Sequence, residues 1–278
     1  GSEMCIRDSY EHEWLHGISS SFELRGRHIS SNRYVPMILP DGRSLHGIND
    51  ASIRIGLRLS KDETIVRMPF EVRHMGSKYP IFSFDFTGAK RGVLPASYDY
   101  LRLEGRMQYR LNLPPIGYSQ LMLEGGKIFG KVPYLLLKLH EGNGTYFYDR
   151  YAFSCMNFYE FSSDAWISFF YEHHFNGFLL GRVPLLKKLN WREVFVFKGV
   201  YGTLSARNDG SLPNTKAVML FPVGMSSVEH PYLETGFGIE NIFRLLRVDC
   251  IWRLTHHRAV PGLSIPTFTV NFSLNLKF

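Results

Sequence analysis

The 278-residue chain has no long hydrophobic run. Its greasiest stretches, residues 132–139 and 178–186, are short and broken by Pro, Gly or Lys, whereas a spanning helix needs roughly 18 to 20 consecutive apolar residues. A helical membrane protein is therefore excluded. Cysteine is scarce: Cys5, Cys155 and Cys250 lack metal-ligand spacing, and their odd number makes no disulfide framework. The formal net charge is +7, but Lys and Arg are scattered among Asp and Glu with no basic tract to follow phosphates, so nucleic acid is not an expected partner. No G-x-S-x-G turn is present. Gly125, Gly126 and Gly130 precede neither a helix nor a Lys-Ser/Thr pair, which removes a phosphate cradle and leaves close backbone approach or a strand kink as their reading. No enzyme activity, cofactor or metal is expected.

What the chain does have is aromatic residues, 15% of the total with 22 Phe and 15 Tyr, against 21% charged, a balance that favours β-structure over disorder. At the C-terminus Phe268, Val270, Phe272, Leu274, Leu276 and Phe278 alternate with Thr267, Thr269, Asn271, Ser273, Asn275 and Lys277, a period of two. Residues 246–255 repeat it: Leu246, Val248, Cys250, Trp252 and Leu254 oppose Arg247, Asp249, Ile251, Arg253 and Thr255. Further strands are predicted over 11–28, 51–60, 64–73, 80–87, 98–113, 118–129, 165–175, 192–204 and 232–239. Ile53, Ile55, Leu57 and Leu59 oppose Arg54, Gly56, Arg58 and Ser60; Ile167, Phe169, Tyr171 and Phe175 oppose Ser168, Glu172 and His174.

Alternation alone fits a soluble barrel, whose apolar face is a core, and a membrane barrel, whose apolar face meets lipid. The connectors discriminate better. Residues 113–117 and 241–245 are tight and 131–157 and 205–230 long, and membrane barrels have short periplasmic turns and long outer loops. With the last strand running inward, the tight turns fall in the periplasm and 205–230 outside. Trp14, Trp191, Tyr98, Tyr118 and Tyr232 sit near predicted strand ends, where an aromatic girdle is expected. Glu172-His173-His174 invites a metal or acid–base reading, but on a strand the two histidines point to opposite faces, and hydrogen bonding within the lumen is the plainer expectation. His256-His257 falls in an outer loop. Lys187, Lys188 and Arg192 suit lipid phosphates and a solvated periplasmic turn equally.

Residues 1–9 (GSEMCIRDS) lack the basic start and apolar stretch of a secretory signal and resemble a translated adapter string found at the ends of metagenomic gene fragments. They are read as artefact, with 10–278 as the C-terminal part of a barrel. Phe278 on an alternating strand resembles the sorting signal of outer-membrane barrels, which assigns Phe272, Leu274, Leu276 and Phe278 as an assembly signal. The hairpin YLETGFGIENIFRLLRVDCIWRL (232–254) is similar to the bacterial surface antigen superfamily, the barrels of outer-membrane assembly and two-partner secretion. GSKYPIFSF (76–84), LEGGKIFGKVPYLLL (123–137), GNGTYFYDRYAF (142–153) and EHHFNGFLLGRVPLLKKLNWREV (172–194) resemble a Bacteroidetes outer-membrane family of unknown function, whose full-length members carry an N-terminal carboxypeptidase-regulatory-like sandwich.

The resemblance implies an all-β fold: an antiparallel transmembrane β-barrel, incomplete, with about 11 to 13 of about sixteen strands and hence an open edge. In the wider superfamily a long outer loop folds into the lumen, and its Arg, in an Arg-Gly-aromatic motif, pairs with carboxylates on the following strands. Asp149-Arg150-Tyr151 occupies the corresponding loop and Glu172 the next strand, so a lumen ion pair of Arg150 with Glu172 is implied. Tyr151 replaces the motif's Gly, and Lys198 stands where a lumen acid is expected. The implied function is insertion or translocation of protein at the cell outer membrane, with outer-membrane lipid, the barrel assembly machinery and a protein substrate as partners. The alternatives are a structural or surface-binding protein recognising ligands through its outer loops, and an outer-membrane hydrolase or soluble lipid-binding barrel.

Overall fold

A computed structural model describes residues 3–15, 17–63, 65–68, 71–74, 77–93, 95–212, 215–258 and 264–274. Leu276 and Phe278, two of the four assembly-signal residues, lie outside them. Eleven strands build the wall: β1 (Glu3–Leu15), β2 (Ile18–Ser30), β3 (Gly47–Leu59), β4 (Ile81–Ala89), β5 (Tyr100–Asn112), β6 (Tyr118–Gly130), β7 (Ala165–His174), β8 (Arg192–Thr203), β9 (Tyr232–Ile242), β10 (Leu246–Arg253) and β11 (Phe268–Leu274). Each pairs antiparallel with its neighbours in chain order, an all-β meander with β1 and β11 at its two edges. Many run 10 to 13 residues, enough for the roughly 9 to 11 that a tilted spanning strand needs.

Two strand assignments require correction. The single strand expected over 11–28 is split between β1 and β2. The break is at Gly17, with φ +92°, where the Ser60 carbonyl comes so close that a Cβ would lie 1.7 Å from its oxygen. One glycine without other turn residues is a faint signal. Residues 64–73, expected as a wall strand, instead contribute a separate hairpin, Ile65–Met68 with Glu71–His74, whose sheet does not join the wall.

The two faces are the reverse of a soluble protein's. Phe22, Leu24, Ile55, Phe84, Phe86, Ile167, Phe237, Trp252, Phe268 and Leu274 are exposed, whereas Glu23, Glu124, Glu172, Lys198, Glu234, Asp249 and Arg253 are buried. The apolar side of the alternation, which a soluble barrel would hide, therefore faces out. Phe272 and Leu274 belong to this outer face. The girdle expectation needs amending in the same terms: Trp14 is exposed, but Tyr232 is fully buried and Tyr118 stacks on His174 with ring centroids 4.5 Å apart, so both serve the interior.

Connections segregate by length. At one end are Gly17, residues 113–117, residues 175–191 with their short helical turns, and residues 243–245; the 60–80 segment with its hairpin is the long exception. The other end carries residues 31–46, 90–99, 131–164, 204–231 and 254–267. Several of these long loops pack into a cap. Met37, Ile128, Tyr134, Leu136, Trp166 and Met219 form its apolar cluster, Tyr134 Oη donates to Pro36 O at 2.9 Å, and Leu220 N donates to Ile38 O at 2.8 Å.

Candidate functional site

The buried charges of β7 to β10 face a loop, residues 131–164, that fills the concave side of the wall. Its stem is fixed by short strands: Phe161–Ser163 pairs antiparallel with Lys138–Leu139 and parallel with Ser226–Ser227 of the 204–231 loop. Between these strands the chain turns inward, and its docking is mostly a matter of wall side chains taking up loop backbone groups that are buried and must be satisfied. Lys198 on β8 donates from Nζ to the carbonyls of Asp149 and Ala152, both at 2.7 Å. Glu234 on β9 accepts the backbone N–H of Ser154 at 2.8 Å and of Cys155 at 2.7 Å, and the Tyr232 hydroxyl at 2.6 Å. Arg253 on β10 pairs with Glu160 at 2.6 Å and donates to Cys155 O at 3.1 Å.

Glu172 on β7 is the hub. Arg150 Nε donates to its Oε2 at 2.9 Å, Arg247 Nη2 to its Oε1 at 3.2 Å, and the Tyr148 hydroxyl also donates to Oε1. Arg247 in turn clamps Asp249 from Nε and Nη2, at 2.8 Å each. The structure thus brings Arg150 and Glu172 together, and joins them to Tyr148, Arg247 and Asp249. Gly238 explains part of the GFG strand: a Cβ there would stand 2.2 Å from Asp249 Oδ1, so only glycine leaves room for that carboxylate.

An apolar anchor complements the polar contacts. Phe153 is 2% exposed and packs on Phe170 and Tyr232, with ring centroids 5.2 and 5.3 Å apart. The loop also covers the free edge of β11: Phe272 N donates to Tyr146 O, and Tyr148 N to Phe272 O, both at 2.7 Å. His140, buried in the stem, bonds Ser163 Oγ at 3.0 Å; burial, with the Lys138 cation adding to it, pushes its imidazole down to about 3, so it is neutral near pH 7. Burial pushes the Cys155 thiol up to about 12, which leaves it unreactive.

The adjacent histidines diverge. His174 bridges Glu172 Oε2 at 3.3 Å and Glu240 Oε2 at 3.2 Å inside the lumen, whereas on the other face His173 accepts from Ser119 Oγ at 2.8 Å and donates to Ile116 O at 2.9 Å. Among the described residues no group of three His, Cys, Asp or Glu side chains could hold a metal ion.

The docking roles of Lys198, Glu234, Glu160 and Tyr148 were not legible in the sequence. A signal existed for Lys198: a cation at a lumen-facing position, out of place as an acid's substitute, is in place as a donor to carbonyl oxygens. Glu234 had the matching signal, an acid on the buried side of a strand whose same face carries Tyr232, Gly236, Gly238 and Glu240.

Residues 18–206 match the C-terminal domain of a family of unknown function, DUF5686. No curated protein matches the chain. Among solved structures the chain is similar to BamA from Haemophilus ducreyi lacking POTRA domains 1–3, with TM-score 0.58 and 10% sequence identity over 98% of this chain and 54% of that one. The chain therefore spans about half the length of that structure, and the likeness is one of fold.

Proposed function

The chain belongs to the DUF5686 family, matching that family's C-terminal domain over residues 18–206, and on that footing we propose that it is a non-enzymatic outer-membrane β-barrel that serves the insertion or passage of protein at that membrane. The observation that carries this reading is a wall with its apolar face exposed and its charged face buried, closed inside by a loop that only non-covalent contacts hold. Lipid is the solvent that suits such an exterior, because it takes up the aromatic and aliphatic side chains while the strands satisfy one another's backbone. A loop docked through hydrogen bonds, ion pairs and one aromatic anchor can leave without breaking a covalent bond, as a gated passage needs. The partners that follow are outer-membrane lipid, the machinery that assembles barrels, and a protein substrate.

The test is cellular. The protein should fractionate with the outer membrane, and its depletion should lower the outer-membrane level of a subset of proteins while leaving their synthesis unchanged. Soluble behaviour without detergent, or an unchanged outer-membrane proteome on depletion, would contradict the reading. The cap favours a second one, recognition at the long-loop end: it is structured, yet leaves Leu212 and Val223 exposed at its surface. Loss of binding to a surface partner on replacing residues 205–230, with protein assembly unaffected, would select that reading.

A further inference from the structure

At the short-turn end of the lumen, beneath the tip of the docked loop, lies a cavity of about 560 Å³ lined by Arg110, Arg150, Arg192, Arg247, His174 and Glu240. Its charges do not balance. Arg150 is matched by Glu172, and Arg247 by Glu172 and Asp249, while Glu240 faces His174. Arg192 stands opposite Glu240 across β8 and β9 but outside ion-pair distance, and Arg110 has no carboxylate in ion-pair contact among the described residues, so both cavity-lining cations keep their N–H donors unpaired by acids. Arg110 is held in place by stacking, 4.1 Å from the Tyr118 ring, which itself stacks on His174. A guanidinium held over a ring face can still offer its N–H donors to a ligand.

The guanidiniums come from four different elements, β5, the loop, β8 and β10, so their forks converge from different directions. A planar carboxylate satisfies one such fork, whereas a tetrahedral phosphate offers oxygens to several at once. We propose that this cavity is a binding site for a phosphate-bearing anion entering from the short-turn end. Because Arg150 both lines the cavity and holds Glu172, an occupant would share a cation with the docked loop. The inference rests on the cavity alone and stands whether or not the chain handles protein substrates.

The test uses the full chain in detergent micelles, titrated calorimetrically with inorganic pyrophosphate and, separately, with micelles containing phosphatidic acid. Saturable, salt-sensitive binding is expected, weakened at least about tenfold in Arg110→Ala/Arg192→Ala and less in the corresponding double Lys variant. Protection of the 131–164 loop from protease, unchanged in the variants, shows that the wall is intact. Binding of pyrophosphate identifies a soluble phosphate compound as the source, and binding of phosphatidic acid alone a lipid headgroup. No saturable binding of either probe, equal binding by the Ala variant, or displacement by pentaglutamate as readily as by pyrophosphate would overturn the proposal.

Discussion

The two halves of the charged face solve the same problem differently. On β7 to β10 most lumen-facing charges are buried under the loop, with Lys198, Glu234 and Asp249 at 0% exposure, and several are spent on its backbone. On β2 to β6 the carboxylates Glu23, Asp50 and Glu124 lie low and arginines cover them: Arg54 reaches Asp85 at 2.8 Å and Glu23 at 3.5 Å, Arg27 reaches Asp50 at 2.8 Å, and Arg106 reaches Glu124 at 2.8 Å. These arginine side chains keep 20% to 50% of their surface, so solvent still reaches the ladder. One half is a docking surface, where removing a charge strands its partner without water. The other is a solvated lining, where neighbours and water compensate.

That contrast can be broken most severely at Lys198. Lys198→Met leaves the Asp149 and Ala152 carbonyls without their donor and Glu234 without the cation opposite it across β8 and β9, and should cost about 3 to 5 kcal/mol of loop docking, read as rapid proteolysis within 131–164. Phe153→Ala removes the apolar anchor at a comparable cost of about 3 to 5 kcal/mol by the same readout. Arg150→Ala should be milder, about 1 to 2 kcal/mol, because its side chain is partly exposed and Glu172 keeps Arg247 and Tyr148. Arg54→Ala, on the solvated half, should change thermal stability by about 1 kcal/mol or less. An Arg54 effect as large as that of Lys198 would erase the distinction between the halves.

A separate effect concerns pH. With the folded imidazole of His140 near 3 and the free one near 6.5, the undocked loop takes up a proton below about pH 6.5 that the docked loop refuses. Docking should therefore weaken as pH falls from about 6.5 toward about 3. His140→Gln should flatten that slope in protease-protection measurements, and an unchanged slope would remove His140 from the account.

Much of the wall was legible because alternation is written residue by residue: Arg247, Asp249 and Arg253 could be assigned to one face of β10 from sequence alone. What alternation cannot say is which face is out, because a core and a lipid phase select the same side chains; the exposure of Phe237 and Trp252 supplies that. The Gly17 turn was missed because one glycine inside a run suitable for a strand reads as a weak interruption. Residues 64–73 were misread because strand propensity does not reveal which sheet a strand joins. Arg150 with Glu172 was legible only through family likeness. The larger network was not, since Lys198 and Glu234 act on backbone groups of Asp149, Ala152, Ser154 and Cys155, and any sequence offers those groups.

Polar contacts and one aromatic anchor hold the 131–164 loop as a plug inside a wall that, on the proposed reading, spans the outer membrane. Single-channel conductance in planar bilayers can decide this by comparing the native protein with Lys198→Met and Phe153→Ala. The prediction is a closed or barely conducting native protein and frequent large openings in both variants. Large openings in the native protein, or variants as silent as it is, would contradict the claim.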